Sequence, residues 1–578
     1  MTKIVELRQD RSFIRSNFDG YKLSLEPVPL LSEDLPVSPN KAETSEEQYS
    51  FLHAELFTLQ NLLQQDPWER YIAYFVNSLG EVVRTAYDVN TGRPQPSVVV
   101  FRLAQPSQPR VKGDYNYSMR FISEKYCVLC DGINRLHLLE TGDRLKSIEW
   151  QQVATTDINT SNKEEMNFTI YDCRLDIIKE QKQISCALGH IQRIEDDSRK
   201  SSIHMMHLHL TRWTQENGSW QFSIISTLEG KGSLYYCAFE PRAESVVISS
   251  NHQYRFCSKE TRVEPDAGAG SFEEPVQRIQ LHDETAEVSG FSWSQSNDDL
   301  VIKFDTRVGK SKINYKIQCT TKKLTVKCDE EVLFDRELYA AVDQDLTTWT
   351  LENNYVQVTL MKGAPSLHWP TIVAEGIAPK ETPGSNDRGM EQKPVANLEA
   401  PIEDCDFPID GTEENKIWRF DIASKMVTHS VFLGSTPPLF VTTLRPGFPA
   451  AFATRQNVDA CLWLQQYNPS KPNEWSLRHE GNLHAFGYIQ ASKQQRKFID
   501  CSPDLSYVLI CESHRHIFLY KSNHDTASGL RNRNGPQVTI GKQHIITLKD
   551  VGEVLGITTA ANVVTVLTEK KLLYLQIN

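Results

Sequence analysis

Four groups of side chains in this chain have types and spacings suited to chemistry. Cys127-Val128-Leu129-Cys130 is a C-x-x-C pair, a spacing used for a shared zinc ion or a redox disulfide. A zinc site needs a second pair or histidines at ligand spacing, and a redox pair needs a helix start after a strand. This pair sits instead inside a strand-like run, where residues three apart point to opposite faces, so it reads as two core cysteines. His204-Met205-Met206-His207-Leu208-His209 places His207 and His209 on one strand face. Two imidazoles can hold a metal, but the sequence nearby offers no third ligand, so they read as exposed strand histidines. Asp298-Asp299 and Asp329-Glu330-Glu331 are carboxylate groups of the kind used in acid–base catalysis. Both fall at turns, where solvated charge is the simpler account. Lys322-Lys323 at a hairpin tip can steer an acidic partner, and again a solvated turn is simpler. The chain has no Walker loop, no G-x-G-x-x-G and no G-x-S-x-G. It is read as a non-enzyme, with no catalytic, cofactor-binding or metal-binding residue assigned and no cofactor.

Composition bounds the remaining classes. Of 578 residues, 39% are hydrophobic and 24% charged, ordinary for a globular chain of two to four domains. No run approaches the ~20 apolar residues of a membrane span. Met1-Thr2-Lys3-Ile4-Val5-Glu6 has no apolar leader region, so no secretory signal is expected. The twelve cysteines lack a framework spacing, which suits a reducing cytoplasm or nucleus. A net charge of −12 disfavours nucleic-acid binding. The excess is concentrated, since residues 374–416 hold eleven Asp/Glu against four Lys/Arg. Together with Ala378-Pro379-Lys380-Glu381-Thr382-Pro383-Gly384, this composition predicts an acidic disordered linker over 376–416.

The elements that must position everything else read as short strands and tight turns. Lys497–Asp504, Tyr507–Cys511 and His516–Tyr520 repeat a strand, Ser-Pro-Asp turn, strand, strand rhythm. Ser233–Pro241 with Val246–Ser250 follows the same rhythm, as does Val563–Leu567 with Leu572–Leu575. Such a unit cannot bury its apolar face by itself, so several must pack radially. The pattern resembles a WD-type propeller blade without its Trp-Asp dipeptide. The expected fold is therefore all-β. Residues 1–285 and 417–578 form the two parts of one propeller of seven blades, with a sandwich at 286–375 inserted between them. Tyr21-Lys22-Leu23-Ser24-Leu25 alternates and is expected to pair near the last strand, Lys571–Ile577, closing the ring. Ser45–Leu63 fits either a helix opened by a capping box at Ser45-Glu46-Glu47-Gln48 or two short strands.

Residues 291–373 alternate with period two. Leu300, Ile302 and Phe304 share a face, as do Leu324, Val326 and Cys328, and Val356, Val358 and Leu360. One face inward and one wet is the mark of a two-layer antiparallel sandwich. Trp293, Trp349 with Leu351, and Trp369 read as its structural anchors, although an indole such as Trp369 can also anchor a partner. The contact surface for partners is not assigned from sequence.

Trp293 with Gln295, Leu338-Tyr339, Trp349 with Leu351 and Glu352, and Trp369 with Val373 stand in the order of the CS domain of NudC-family proteins. Phe18–Pro27, Val458-Asp459-Ala460 and Gly487–Lys493 also resemble that family, so the likeness covers most of the chain. The resemblance implies a non-enzymatic co-chaperone or adaptor that works with the heat-shock-protein-90 chaperone on clients that include propellers. It also implies an alternative, a structural partner of the coatomer vesicle coat with the propeller as the main surface. It implies a cytoplasmic and nuclear distribution. Sustained heptads are absent, so no dimerising coiled coil is expected.

Overall fold

The computed structural model describes residues 2–15, 17–104, 110–146, 149–158, 166–196, 201–257, 291–295, 299–305, 314–329, 331–351, 355–363, 369, 372–373, 415–468, 470–493, 495–522 and 538–577. Two compact units form, one from residues 1–262 with 405–578 and the other from 263–404. The linker expected over 376–416 lies outside the described residues except for Asn415 and Lys416, which open the strand Asn415–Asp421.

The first unit holds seven sheets among its described residues. Sheets one, two and three are consecutive hairpins over residues 64–102, 118–157 and 169–230. Sheet four joins Tyr236–Phe239 and Ser245–Ser250 to Asn415–Asp421 and Met426–Gly434. Sheets five and six span 440–483 and 496–547, and sheet seven combines residues 554–576 with Leu30–Asp34. Several strands, in the middle of a sheet or at its end away from the N-terminal strap, are buried on both faces. Ile72–Val76, Val554–Thr559 and Val563–Thr568 have every residue buried. That burial is why these strands read as apolar runs rather than as alternation.

Each sheet shares one apolar cluster with the next. Cys127 and Leu129 pack with Tyr74 between sheets one and two, and Val128 and Cys130 pack with Ile184 and Trp213 between two and three. Further clusters join three to four, four to five, five to six, and six to seven. A separate cluster sets Leu555, Val563 and Tyr574 of sheet seven against Phe75 and Val83 of sheet one. Seven sheets packed in sequence, with the seventh against the first, form a closed seven-bladed propeller.

The N-terminal segment is a strap over the outer blade edges. Lys3–Ile4 pairs in parallel with His429 and Ser430 of blade four. On blade five, Gln9 Nε2 donates to Cys461 Sγ at 2.9 Å, and the Phe13 ring meets His479 edge-on at 5.2 Å. Phe18–Leu23 pairs in parallel with blade six, not with the last strand as its alternation suggested. Gly541 explains this placement. A Cβ there would meet the Tyr21 ring at 2.6 Å, so its absence leaves room for the aromatic face. Leu30–Asp34 is the segment that pairs antiparallel with Lys571–Leu575 and closes the ring.

The helix is Phe51–Leu59, with Ser50 as its cap accepting from the His53 N–H at 3.2 Å. The expected capping box forms only a turn before it, where the Ser45 N–H donates to Gln48 Oε1. Leu63 lies beyond the helix, in the cluster that joins blades seven and one.

Two buried ion pairs tie the ring together. Asp66 and Arg144 link blades one and two, with Arg144 Nη2 donating to Asp66 Oδ1 at 3.1 Å. In blade four, Arg419 donates from Nε and Nη2 to the two Glu240 oxygens at 2.6 and 2.9 Å. The side chains of Arg419 and Glu240 are 4% and 0% exposed. Removing one partner of such a pair strands the other charge. Arg419→Ala should therefore cost ~3–5 kcal/mol, read as a lowered denaturant midpoint of the ring, whereas Arg419→Met with Glu240→Leu should lose less. An unchanged midpoint in Arg419→Ala would show that the pair is dispensable.

Candidate functional site

The second unit builds a two-layer sandwich from alternating strands. One sheet orders Phe291–Gln295, Asp299–Asp305, Tyr355–Lys362 and Val342–Leu351, and the other orders Tyr315–Thr320, Lys323–Cys328 and Glu331–Glu337. Leu300, Ile302, Phe304, Leu324, Val326, Val356, Val358 and Leu360 fill the space between them. The opposite faces carry exposed Lys316, Gln318, Lys327 and Asp335. Lys323 at the hairpin tip pairs with Asp335 at 3.0 Å.

Cross-strand register aligns the tryptophans. Trp293 is opposite Ile302, Ile302 opposite Val358, and Val358 opposite Trp349. Residues directly paired across strands share a face. Trp349 and Leu351 are partly buried and pack on the core, while the Trp293 side chain lies outside the described residues. Trp369 is 1% exposed and belongs to the same core. Its segment is held by the Leu338–Val373 bridge and by the Tyr339 N–H donating to Ile372 O at 3.1 Å.

The Tyr339 ring covers Trp369, with centroids 5.7 Å apart, yet is itself 44% exposed. This patch therefore presents the tyrosine, not the indole, to solvent. Sequence spacing marks both residues but does not say which one faces out.

The propeller encloses a cavity of about 730 Å³ among its inner strands, lined in part by Glu55, Arg120, Asp172, Arg496 and Asp500. Two of its carboxylates, Asp172 and Asp500, join neighbouring blades. Asp172 of blade three accepts the Phe239 N–H of blade four at 2.7 Å. Asp500 of blade six accepts the Thr559 hydroxyl of blade seven at 2.8 Å. Burial pushes the carboxyls of Asp500 and Glu55 up, and that of Asp172 to about 6. The cysteine pair faces two different interblade cores, as strand geometry requires, and burial pushes both thiols up.

The expectation of two exposed histidines fails: His207 is half-buried, and the departure is larger for His209. It is buried, with Nε2 at 3.1 Å from His190 Nδ1 and Nδ1 at 2.9 Å from Thr227 Oγ1. Blade three pairs two 16-residue strands, Gln181–Asp196 and Ser201–Glu216, between further strands. This segment is therefore interior to a sheet rather than on an edge.

The CS domain model matches residues 289–362. NudC domain-containing protein 1 of Mus musculus is 27% identical over 600 residues, covering 99% of this chain and 98% of the relative. The protein of the same name from Xenopus laevis is 26% identical over 603 residues with the same coverage. Among solved structures, the WD40 domain of SCAP from fission yeast is 8% identical, covering 95% of this chain and 98% of its own, at a TM-score of 0.32. The propeller assignment rests on the strand pairing above.

Two measurements test these assignments. Trp369→Ala should cost ~3–5 kcal/mol, and in the full chain hydrogen exchange should accelerate in 299–305 and 355–362 but not in 554–568. Unchanged exchange would remove Trp369 from the core. The second concerns Asp172. The native carboxyl keeps its proton to about pH 6, while an unfolded Asp loses it near 3.8. The native state thus binds more protons in that window, so stability falls as pH rises from about 4 to 6 and levels off above. Asp172→Asn keeps an acceptor for Phe239 and should raise stability near pH 7 by up to ~3 kcal/mol, with little gain below about pH 4. Equal gains in urea midpoint at both pH values would refute the assignment.

The chain is similar along its whole length to NudC domain-containing protein 1, and it carries the CS domain, a protein-interaction module, to which the order of its tryptophans points.

Proposed function

We propose that this chain is a non-enzymatic co-chaperone or adaptor that holds client proteins and cooperates with the heat-shock-protein-90 chaperone in the cytoplasm and nucleus. The observation that supports this most is the exposed Tyr339 ring seated on buried Trp369 in the CS sandwich. A tyrosine held rigid from below offers amphipathic contact area at little entropic cost, the character of an interface anchor. The rigid ring adds loops at fixed separations for further contacts.

A second reading makes the propeller the main surface, as in a structural partner of the coatomer coat. It is favoured by Phe448, which is 55% exposed on a cavity-lining loop of blade five.

The test is affinity purification of the full chain, its Tyr339→Ala variant and a deletion of 286–375, each with and without chaperone inhibition. Client and chaperone recovery should fall in both variants, and client recovery should fall with the inhibitor. Recovery that survives the deletion would replace the first reading with the second.

A further inference from the structure

Blade three brings together three donors that stand 22 and 28 residues apart in sequence and that no motif connects. His207 and Glu229 are direct cross-strand partners on Ser201–Glu216 and Ser219–Gly230. The short strand Arg255–Phe256 then pairs with the outer side of Ser219–Gly230, setting Arg255 opposite Glu229. One residue on, the Cys257 N–H donates to Thr227 O at 2.9 Å and holds Cys257 beside the same strand. A ring nitrogen of His207, a carboxylate oxygen of Glu229 and Cys257 Sγ consequently lie within 4.8 Å of one another.

We propose that His207, Glu229 and Cys257 form a site for one borderline-soft divalent cation of the zinc class, at the point where the chain leaves blade three. Zinc bonds of about 2.0–2.3 Å in a tetrahedron put ligand atoms roughly 3.3–3.8 Å apart. Cys257 Sγ already stands 3.4 Å from Glu229 Oε2, and the widest separation needs to close by about 1 Å. The second observation is the histidine. His207 Nε2 is buried without a hydrogen-bond partner, and a buried polar atom left so is uncommon in a folded protein. A cation bound through Nε2 would satisfy it.

The remaining groups suit the assignment. Arg255 Nε binds Glu229 Oε1 at 2.7 Å, which orients the carboxylate and leaves Oε2 turned toward the thiol. A cavity of about 270 Å³ lies on the Glu229 side of the site, lined also by Met205, Gly230, Lys231, His252, Gln253 and Arg255. The thiol and imidazole set the metal class, since magnesium and calcium take oxygen donors. On binding, the Cys257 S–H bond breaks, its proton passes to solvent, and the sulfur lone pair bonds the cation. His207 contributes a nitrogen lone pair and Glu229 an oxygen lone pair, with no change of oxidation state. The bound ion would pin Cys257, beyond which the chain continues through 258–290 to the CS sandwich.

The test uses the purified full chain and cobalt(II), whose spectrum reports thiolate ligation. One cobalt per chain is expected, with a thiolate-to-metal charge-transfer band in the near ultraviolet that zinc abolishes. Cys257→Ser should lose the band and Cys319→Ser keep it, while His207→Ala and Glu229→Gln should weaken binding by at least about tenfold. Circular dichroism of the metal-free variants checks folding. Independently of any variant, zinc should protect Cys257 of the parent chain from alkylation, read by mass spectrometry. Sub-stoichiometric cobalt, a band that persists in Cys257→Ser, or alkylation of Cys257 unaffected by zinc would overturn the site.

Discussion

Blade four exists only because Ser245–Ser250 pairs with Lys416–Asp421 across a long excursion of the chain. The pairing is locked by the Glu240–Arg419 ion pair, which bridges 179 residues of sequence inside the same sheet. The ring depends on this join. Without it, blades three and five each lose the apolar neighbour that covers one face. The same join makes an inserted domain tolerable. After Ser250 the chain pairs once more with blade three at Arg255–Phe256, and it returns to blade four with Lys416 opposite Ser250; loop-closure entropy grows only slowly with the length of chain between.

The first 34 residues solve the complementary problem, that of exposed sheet edges. Open edges invite pairing with other chains. Lys3–Ile4 and Phe18–Leu23 cover the outer edges of blades four and six, and Leu30–Asp34 supplies the outer strand of blade seven. One continuous segment thus protects edges and closes the circle. Inside the ring, Asp172 and Asp500 serve a related purpose by accepting hydrogen bonds from the next blade. These two cavity carboxylates are thereby committed to structure. In the CS sandwich, by contrast, the Tyr339 ring stands exposed beside the buried Trp369.

Much of this architecture was legible in the residues. Period-two alternation identified the inward faces of the sandwich at Leu300, Ile302, Phe304, Val356, Val358 and Leu360, because that unit has one dry and one wet face. The blade rhythm was legible through its turns, but its partners were not. Middle strands such as Val563–Thr568 are apolar on both faces, so periodicity carries no register information there. Alternation over Tyr21-Lys22-Leu23-Ser24-Leu25 points to a partner near the last strand, yet the segment pairs with blade six, where Gly541 leaves space for the Tyr21 ring.

Residue order and composition were enough for the strand periods, the acidic stretch and the ordered tryptophans that mark the CS domain. Only the tertiary structure decided that Leu30–Asp34 is the closing strand, that His209 is interior, that Tyr339 rather than Trp369 meets solvent, and that Cys257 lies beside His207 and Glu229. The reason is physical. Local patterning dictates which face of a strand a side chain occupies, whereas its neighbours across the sheet are set by pairings between segments hundreds of residues apart.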